Sequence, residues 1–248
     1  MDPEPVAIAT RTDYFGNQVS SFSIFEPHQL LTVTATSTVS VDPPPLQTDL
    51  SDLSPAWEDV RHRLATQDGD DFLEAFEFVC PSPFVTPDAD LAAYARPTFQ
   101  PGRPILDATR ELMRRIYTEF KYDPKSTTIG TPLQEVLAKR RGVCQDFAHV
   151  MIGALRSLGL AARYVSGYLR SGENYQGAEA SHAWVAVFIP GAGWLHFDPT
   201  NDVTPSDGHV TLAWGRDFTD VTPLKGITLG GGGESIEVEV RVRPAVQP

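Results

Sequence analysis

Residues 140–159, RRGVCQDFAHVMIGALRSLG, contain one of only two cysteines in the chain and predict a single amphipathic helix. The apolar residues recur at helical spacing on one stripe, formed by Phe147, Met151, Ala154, Leu155 and Leu158. Cys144 lies on this stripe at the start of the helix, and Gly159 is suited to end it in a left-handed conformation. Unpaired N–H groups and the helix dipole stabilise a thiolate there, so Cys144 is a candidate nucleophile. The competing interpretation is a small, buried core residue.

Strands are predicted after this helix over residues 161–169, 182–189 and 194–198. The second is apolar on both faces, which is typical of an interior strand. His182 begins it and Asp198 ends the third strand, so an antiparallel hairpin centred on Pro190 would set the two side chains beside each other. In the same register His196 would face Trp184.

Acyl transfer by a thiol needs a nucleophile, a histidine that moves the proton and a group that orients the histidine. Cys144, His182 and Asp198 offer one of each, although a histidine on an apolar strand is often a hydrogen-bonded core residue. An aspartate before proline is likewise a common end of a strand. His149 lies five residues along the helix from Cys144 and should point elsewhere. Cys80 has no charged neighbour in the sequence and is interpreted as structural.

The remaining patterns suggest how the chain is divided. Alternation over 31–41 predicts a strand that Pro43-Pro44-Pro45 would end, because proline cannot donate to a ladder. Helices are predicted near 54–64, 72–79 and 104–120. A linker rich in proline and glycine over 96–104 suggests a domain boundary, and alternation over 236–243 predicts a strand that returns to a sheet edge. We therefore expect a β-rich domain over 1–95, a core over 96–230 and a C-terminal strand over 231–248.

Composition narrows the class of protein. The net charge of −12 argues against a nucleic acid or an anionic membrane as partner, since both attract basic surfaces. No apolar run approaches the roughly 18 residues that would indicate a membrane span. The opening MDPEPVAIAT lacks the features of a signal peptide, and two cysteines do not make a disulfide framework. We therefore expect a cytoplasmic protein.

Three sequence blocks resemble those of the transglutaminase-like superfamily: GVCQDFAH around Cys144, ASHAWV around His182 and GWLHFDPTN around Asp198. The segment DYFGN at 13–17 and the stretch PHQLLTVTATS resemble the β-rich N-terminal region of bacterial members. The resemblance implies an α+β fold, with a papain- or transglutaminase-like core in which the helix that carries the cysteine packs on an antiparallel sheet. It also implies a small β-rich domain ahead of the core, which would be incomplete because members usually carry further strands before DYFGN.

The same resemblance implies roles for individual residues. Cys144 would be the nucleophile, His182 the general base and acid, and Asp198 the group that orients His182. The backbone N–H of Cys144 is the first candidate for stabilising the oxyanion, and Gln145 and Trp184 are candidates for a side-chain donor in the substrate cleft.

These assignments indicate a cysteine-dependent acyl-transfer enzyme that acts on peptide or side-chain amides through a thioester. Hydrolysis by a peptidase or amidase is preferred, because no site for an acceptor amine is visible. The alternatives are a transglutaminase that cross-links proteins, a non-catalytic peptide-binding module on the same fold, and a metal site that uses Cys144. No cofactor or metal is expected: acidic calcium loops are missing and the metal-ligating residue types are scattered.

Overall fold

The computed structural model describes residues 1–42, 54–171, 175–178, 180–230 and 235–245. The α-helices are α1 (Trp57–Thr66), α2 (Asp70–Phe76), α3 (Ala89–Ala95), α4 (Ile105–Glu119), α5 (Leu133–Lys139) and α6 (Cys144–Ser157). The strands are β1 (Ala7–Thr12), β2 (Gln18–Ser23), β3 (Lys121–Tyr122), β4 (Arg141–Gly142), β5 (Ala162–Leu169), β6 (His182–Ile189), β7 (Gly193–Phe197) and β8 (His209–Gly215). Short 3-10 helices cover Glu77–Val79 and Phe218–Asp220.

An antiparallel sheet of four strands, in the order β7-β6-β5-β8, is the framework of the molecule. All eight residues of β6 are buried between β7 and β5, which confirms the predicted interior strand. The pairing of β5 with β8 shifts between Ser166 and Gly167. A side chain at position 167 would begin only 2.3 Å from the Trp184 ring, so the shifted register needs glycine there.

Helix α6 packs on one face of this sheet. The predicted stripe is buried in α6, and its residues share an apolar cluster with Ala183, Val185 and Val187 of β6. Gly159 has a φ of +78°, and the N–H of Leu160 donates to the carbonyl of Leu155, which confirms the left-handed end of the helix. A helix that carries the cysteine therefore lies on an antiparallel sheet, as the α+β prediction requires.

Helices α1 to α4 pack against the same core. The predicted helix over 104–120 is confirmed as α4, whereas α3 is an element that the sequence analysis missed. Its start is marked by Asp88, whose carboxylate accepts the N–H of Leu91. Buried residues before and after position 96, among them Leu91 and Leu106, belong to one apolar cluster. The division of the chain at that position stays a prediction.

The N-terminal segment contains less sheet than predicted. β1 and β2 form a hairpin, but the strand predicted over 31–41 is wrong, because residues 33–42 lie outside helices and strands. The one backbone bridge of this stretch within the described residues joins Thr32 to Asp2. Alternation shows which side chains could share a face, but a strand also needs a neighbouring strand to pair with. Pro43-Pro44-Pro45 lies outside the described residues.

The C-terminal segment also differs from the prediction. Residues 235–245 form no strand, although their side chains alternate. Within the described residues, their backbone hydrogen bonds to the rest of the chain lie at one place, where the Ser171 N–H donates to the Val242 carbonyl at 2.9 Å and the Val242 N–H donates to Ser171 Oγ. One pair of residues is too short for a ladder. Among the helices in the described ranges, none has both the length and the apolar character that crossing a bilayer requires.

Candidate active site

The cysteine stands at the first position of α6, and the chain around it is fixed by a carboxylate. Asp146 accepts the backbone N–H of Val143 at 2.8 Å and the hydroxyl of Thr127 at 2.7 Å. A side chain at position 142 would begin 2.4 Å from the Asp146 carboxylate, so Gly142 permits this close approach. Cys144 is 8% exposed, and its own N–H has no acceptor within the helix because it belongs to the first turn.

The histidine and the aspartate meet at the other side of the site. His182 Nε2 lies 2.9 Å from Asp198 Oδ2, and the two side chains are fully buried. The other ring nitrogen, Nδ1, forms no hydrogen bond of standard geometry with any described residue. Since Nε2 faces a carboxylate oxygen, it carries the proton and Nδ1 is the nitrogen left for Cys144.

The electrostatics favour a charged pair. Burial opposes the imidazolium form of His182, but the charges of Asp198 and then of Cys144 outweigh it and raise the pKa of His182 to about 10. Burial would also raise the pKa of Asp198, yet the charge of His182 and the hydrogen bonds to the carboxylate hold that pKa well below its usual range. The aspartate is therefore an anion and stabilises a proton on His182.

The strand register differs from the one predicted. β6 and β7 pair Ala186 with His196 and Val185 with Phe197, so the hairpin centres on Gly191 instead of Pro190. The register follows from a turn in which Gly191 and Gly193 both have positive φ, a conformation that a pairing rule does not anticipate. The shift is two residues, so every side chain keeps its face, and His182 still reaches Asp198 diagonally.

Asp198 has partners that sequence reasoning missed. Its Oδ1 accepts the N–H of Thr200 at 2.9 Å, while Oδ2 accepts Asn201 Nδ2 at 2.8 Å and His209 Nε2 at 3.2 Å. Asn201 follows Asp198 within the block FDPTN and could have been suspected from that spacing. His209 lies on β8, which lacks a regular alternation and was not predicted, so the sequence contained no usable signal for it.

Comparison with known proteins shows which family the chain belongs to. A model described as the transglutaminase-like superfamily matches residues 92–199, the range that contains Cys144, His182 and Asp198. An uncharacterised protein of Mycobacterium tuberculosis is 42% identical over 261 aligned positions, which cover 98% of this chain and 80% of that protein. The chain belongs to the transglutaminase-like superfamily. Residues 1–40 match the bacterial transglutaminase-like N-terminal region.

Two further similar proteins carry names that describe an activity. A protein-glutamine gamma-glutamyltransferase of Pseudomonas aeruginosa is 32% identical over 107 residues, which are 38% of this chain and 16% of that protein. A solved structure from Cytophaga hutchinsonii, named as a candidate cysteine protease, is 30% identical with a TM-score of 0.53. The match covers 60% of this chain and about half of that one, 49%. The likeness to the solved structure, together with the matching family model, shows the α+β transglutaminase-like fold.

In this transglutaminase-like protein, the site is covered by backbone from the loop that follows β5. Gly177 has a φ of +89°, and a side chain there would begin 2.9 Å from His182 Nδ1 and 3.8 Å from the Tyr122 hydroxyl. Asn201 holds the loop in place, because its Oδ1 accepts the N–H of Gln176 at 2.8 Å. Burial, and then the charge of Cys144, raise the pKa of Tyr122 to about 12, so this tyrosine also borders the cysteine.

The two side chains predicted as oxyanion donors occupy different surroundings. The indole N–H of Trp184, its only donor, is engaged with His196 Nδ1 at 2.9 Å, and Trp184 is fully buried. Gln145 lines a cavity of about 210 Å³ beside the start of α6, together with Val143 and Asp146. Of these two side chains, Gln145 is the one that faces open space, in a cavity whose lining does not include Cys144.

The remaining histidine and cysteine of the sequence analysis lie away from this site. His149 stacks on Phe84 with ring centroids 5.7 Å apart and accepts the N–H of Phe218, so it points elsewhere as predicted. The Cys80 thiol donates to the carbonyl of Phe76 at 3.7 Å. Within the described ranges, no group of three or more His, Cys, Asp or Glu side chains is arranged to hold a metal ion.

Proposed function

We propose that this transglutaminase-like protein is a cysteine-dependent acyl-transfer enzyme that hydrolyses peptide or side-chain amides. Cys144 is the nucleophile, His182 carries the proton and Asp198 orients His182. The observation that carries the proposal is the buried hydrogen bond of 2.9 Å between His182 Nε2 and Asp198 Oδ2. It leaves Nδ1 of His182 for the thiol at the start of α6, which is the division of labour that a catalytic triad needs.

In the first step the Cys144 thiolate attacks the carbonyl carbon of the amide, and the carbonyl oxygen becomes an oxyanion. The N–H of Cys144 has no helical acceptor and can donate to that oxygen. The C–N bond then breaks as His182 gives its Nδ1 proton to the leaving amine, and an acyl thioester remains on Cys144. The negative charge of Asp198 stabilises the imidazolium until the proton leaves.

In the second step the thioester is released. Neutral His182 takes a proton from a water molecule, the hydroxide attacks the thioester carbonyl, and Cys144 leaves as a thiolate beside the imidazolium. Attack by an amine would instead give a cross-link, and the gamma-glutamyltransferase relative supports that as a second candidate. Hydrolysis remains first, because an amine must be bound and oriented to compete with water.

Selective alkylation tests the proposed nucleophile. Iodoacetamide at pH 6 should modify Cys144 at least about tenfold faster than Cys80, because only a thiolate paired with an imidazolium reacts at that pH. Mass spectrometry of the digested protein locates the adduct, and Cys144→Ala is the matched control that should keep its fold. Equal, slow modification of both cysteines would support the peptide-binding module and contradict the enzyme.

A peptide library separates the two activities. The protein is incubated with mixed glutamine- and lysine-containing peptides, with and without a small primary amine, and the products are read by mass. We expect new carboxylates from hydrolysis, absent with Cys144→Ala. Amine adducts in excess of hydrolysed products would instead establish a transglutaminase.

A further inference from the structure

We propose that His209 is a positioning residue that acts through Asp198 and fixes His182 for proton transfer. This inference rests on the proposed function, since it assigns a role beside the same three residues. It concerns a side chain that lies on β8, outside the sequence blocks that identify the family.

The position of His209 is set by the sheet. β8 pairs with β5 so that His209 lies opposite Leu169, at the end where β6 begins with His182. His209 is buried, and its Nε2 lies 3.2 Å from Oδ2 of Asp198, the oxygen that also binds His182 Nε2. Its ring stands edge-on to Trp184, with centroids 5.3 Å apart and planes at 89°. The ring is therefore held between a packed aromatic and the carboxylate.

The contact with Asp198 shows which ring nitrogen of His209 carries a proton. An ionised carboxylate only accepts hydrogen bonds, so Nε2 of His209 must carry a proton to approach Oδ2. Its Nδ1 is buried and has no hydrogen-bond partner in the part of the chain that the structure describes. The geometry thus makes Nε2 of His209 the donor to the Asp198 carboxylate.

Three donors meet at one oxygen of Asp198: the Nε2 atoms of His182 and His209, and Nδ2 of Asn201. The hydrogen bonds from His209 and Asn201 hold the carboxylate in one rotamer and favour its ionised form. Asn201 also binds the loop at Gln176, whereas His209 acts on the carboxylate alone among the described polar groups. Without His209, Oδ2 could turn away from His182, and small errors of position are expensive in proton transfer.

The experiment compares His209→Gln, which keeps a donor, with His209→Met, which fills similar space without one. The readout is the rate of Cys144 alkylation by iodoacetamide at pH 6, with thermal unfolding as the check on folding. We expect His209→Met to slow alkylation about tenfold, the usual effect of losing a hydrogen bond to a charged group, and His209→Gln to recover it to within about threefold. In an Asp198→Ala background, His209→Met should change the rate less than about twofold.

Several outcomes would overturn the inference. They are an unchanged rate in His209→Met, an equal loss in His209→Gln, or an undiminished loss in the Asp198→Ala background. The wild-type protein supplies a test that needs no variant to fold: nitrogen-15 NMR should show that Nε2 of His209 carries a proton, and a ring without a proton on Nε2 would contradict the proposal. Failure of selective alkylation in the wild type would instead refute the proposed function, so the two failures are distinguishable.

Discussion

Two regions of the molecule each bury a histidine near an aspartate, and the pKa of the histidine shifts in opposite directions in the two regions. His182 touches Asp198 directly at 2.9 Å, and its pKa is raised to about 10. His149 lies near Asp217 without such a contact, and burial above all lowers its pKa to about 4, with Arg156 adding to the effect. The same residue types therefore hold a proton in one region and exclude it in the other.

The difference comes from where the hydrogen bonds of each aspartate go. Asp198 presents Oδ2 to an imidazole, whereas Asp217 accepts from the Phe84 N–H at 2.7 Å and from the N–H and hydroxyl of Thr219. His149 Nε2 itself accepts the Phe218 N–H at 3.2 Å, a bond that protonation would break. Proximity to a carboxylate is thus insufficient to charge a histidine. The ring must also be in hydrogen-bond contact with the carboxylate, as His182 is with Asp198.

The same substitution at both aspartates should give the largest contrast. Asp198→Asn should slow Cys144 alkylation by about 10² to 10⁴-fold at pH 6, because the imidazolium loses its counter-charge and the favoured tautomer. Asp217→Asn should leave the rate within about twofold and instead lower the free energy of unfolding by about 1 to 3 kcal/mol, as hydrogen bonds to an anion are weakened. Urea unfolding and alkylation rates measure the two effects. A large loss of rate from Asp217→Asn would erase the distinction between the regions.

Stability should depend on pH in the direction set by each pKa. Between pH 6.5 and about 4 the unfolded chain protonates position 149 while the folded protein does not, so stability falls by about 1 to 3 kcal/mol as the pH falls through that interval. The pairing of His182 contributes fully below pH 6.5 and is lost as the pH rises through about 10.

Urea unfolding measured from pH 4 to 6.5 checks the predicted loss of stability at acid pH. His149→Phe should reduce the loss of stability at acid pH. Part of that loss should remain, because burial, then the charges of Arg163 and His209, also lower the pKa of His196 to about 4. If the loss of stability at acid pH is unchanged in His149→Phe, the pKa of His149 in the folded protein is not lowered, which would contradict the prediction.

The comparison also shows how far the sequence could lead. Local periodicity predicted α6 and β6 and placed Cys144 and His182 at their starts, because the spacing of apolar residues reports which face is buried. It did not predict the hairpin register, which depends on positive φ at Gly191 and Gly193. It also missed His209, since pairing with β5 across about forty residues leaves no local pattern in β8.

The two histidines are also covered differently, and this predicts the smallest effect. His149 stacks against the half-buried ring of Phe84, whereas His182 Nδ1 lies under the backbone of Gly177. A methyl group at position 177 would begin 2.9 Å from Nδ1, so Gly177→Ala should push the backbone away from the ring. Alkylation of Cys144 should then become about two- to fivefold faster, equivalent to a shift of up to about 1 kcal/mol.

Gly191→Ala is the matched control for that change. Gly191 has a similar φ of +81°, but no atom outside its immediate chain neighbours lies within 4 Å of where its side chain would begin. The substitution therefore introduces comparable backbone strain without a collision, and its alkylation rate should equal that of the wild type. Equal acceleration in both variants would mean that strain alone loosens the site. Slower alkylation in Gly177→Ala alone would mean that the methyl group occupies the space between Cys144 and His182 instead of lifting the loop.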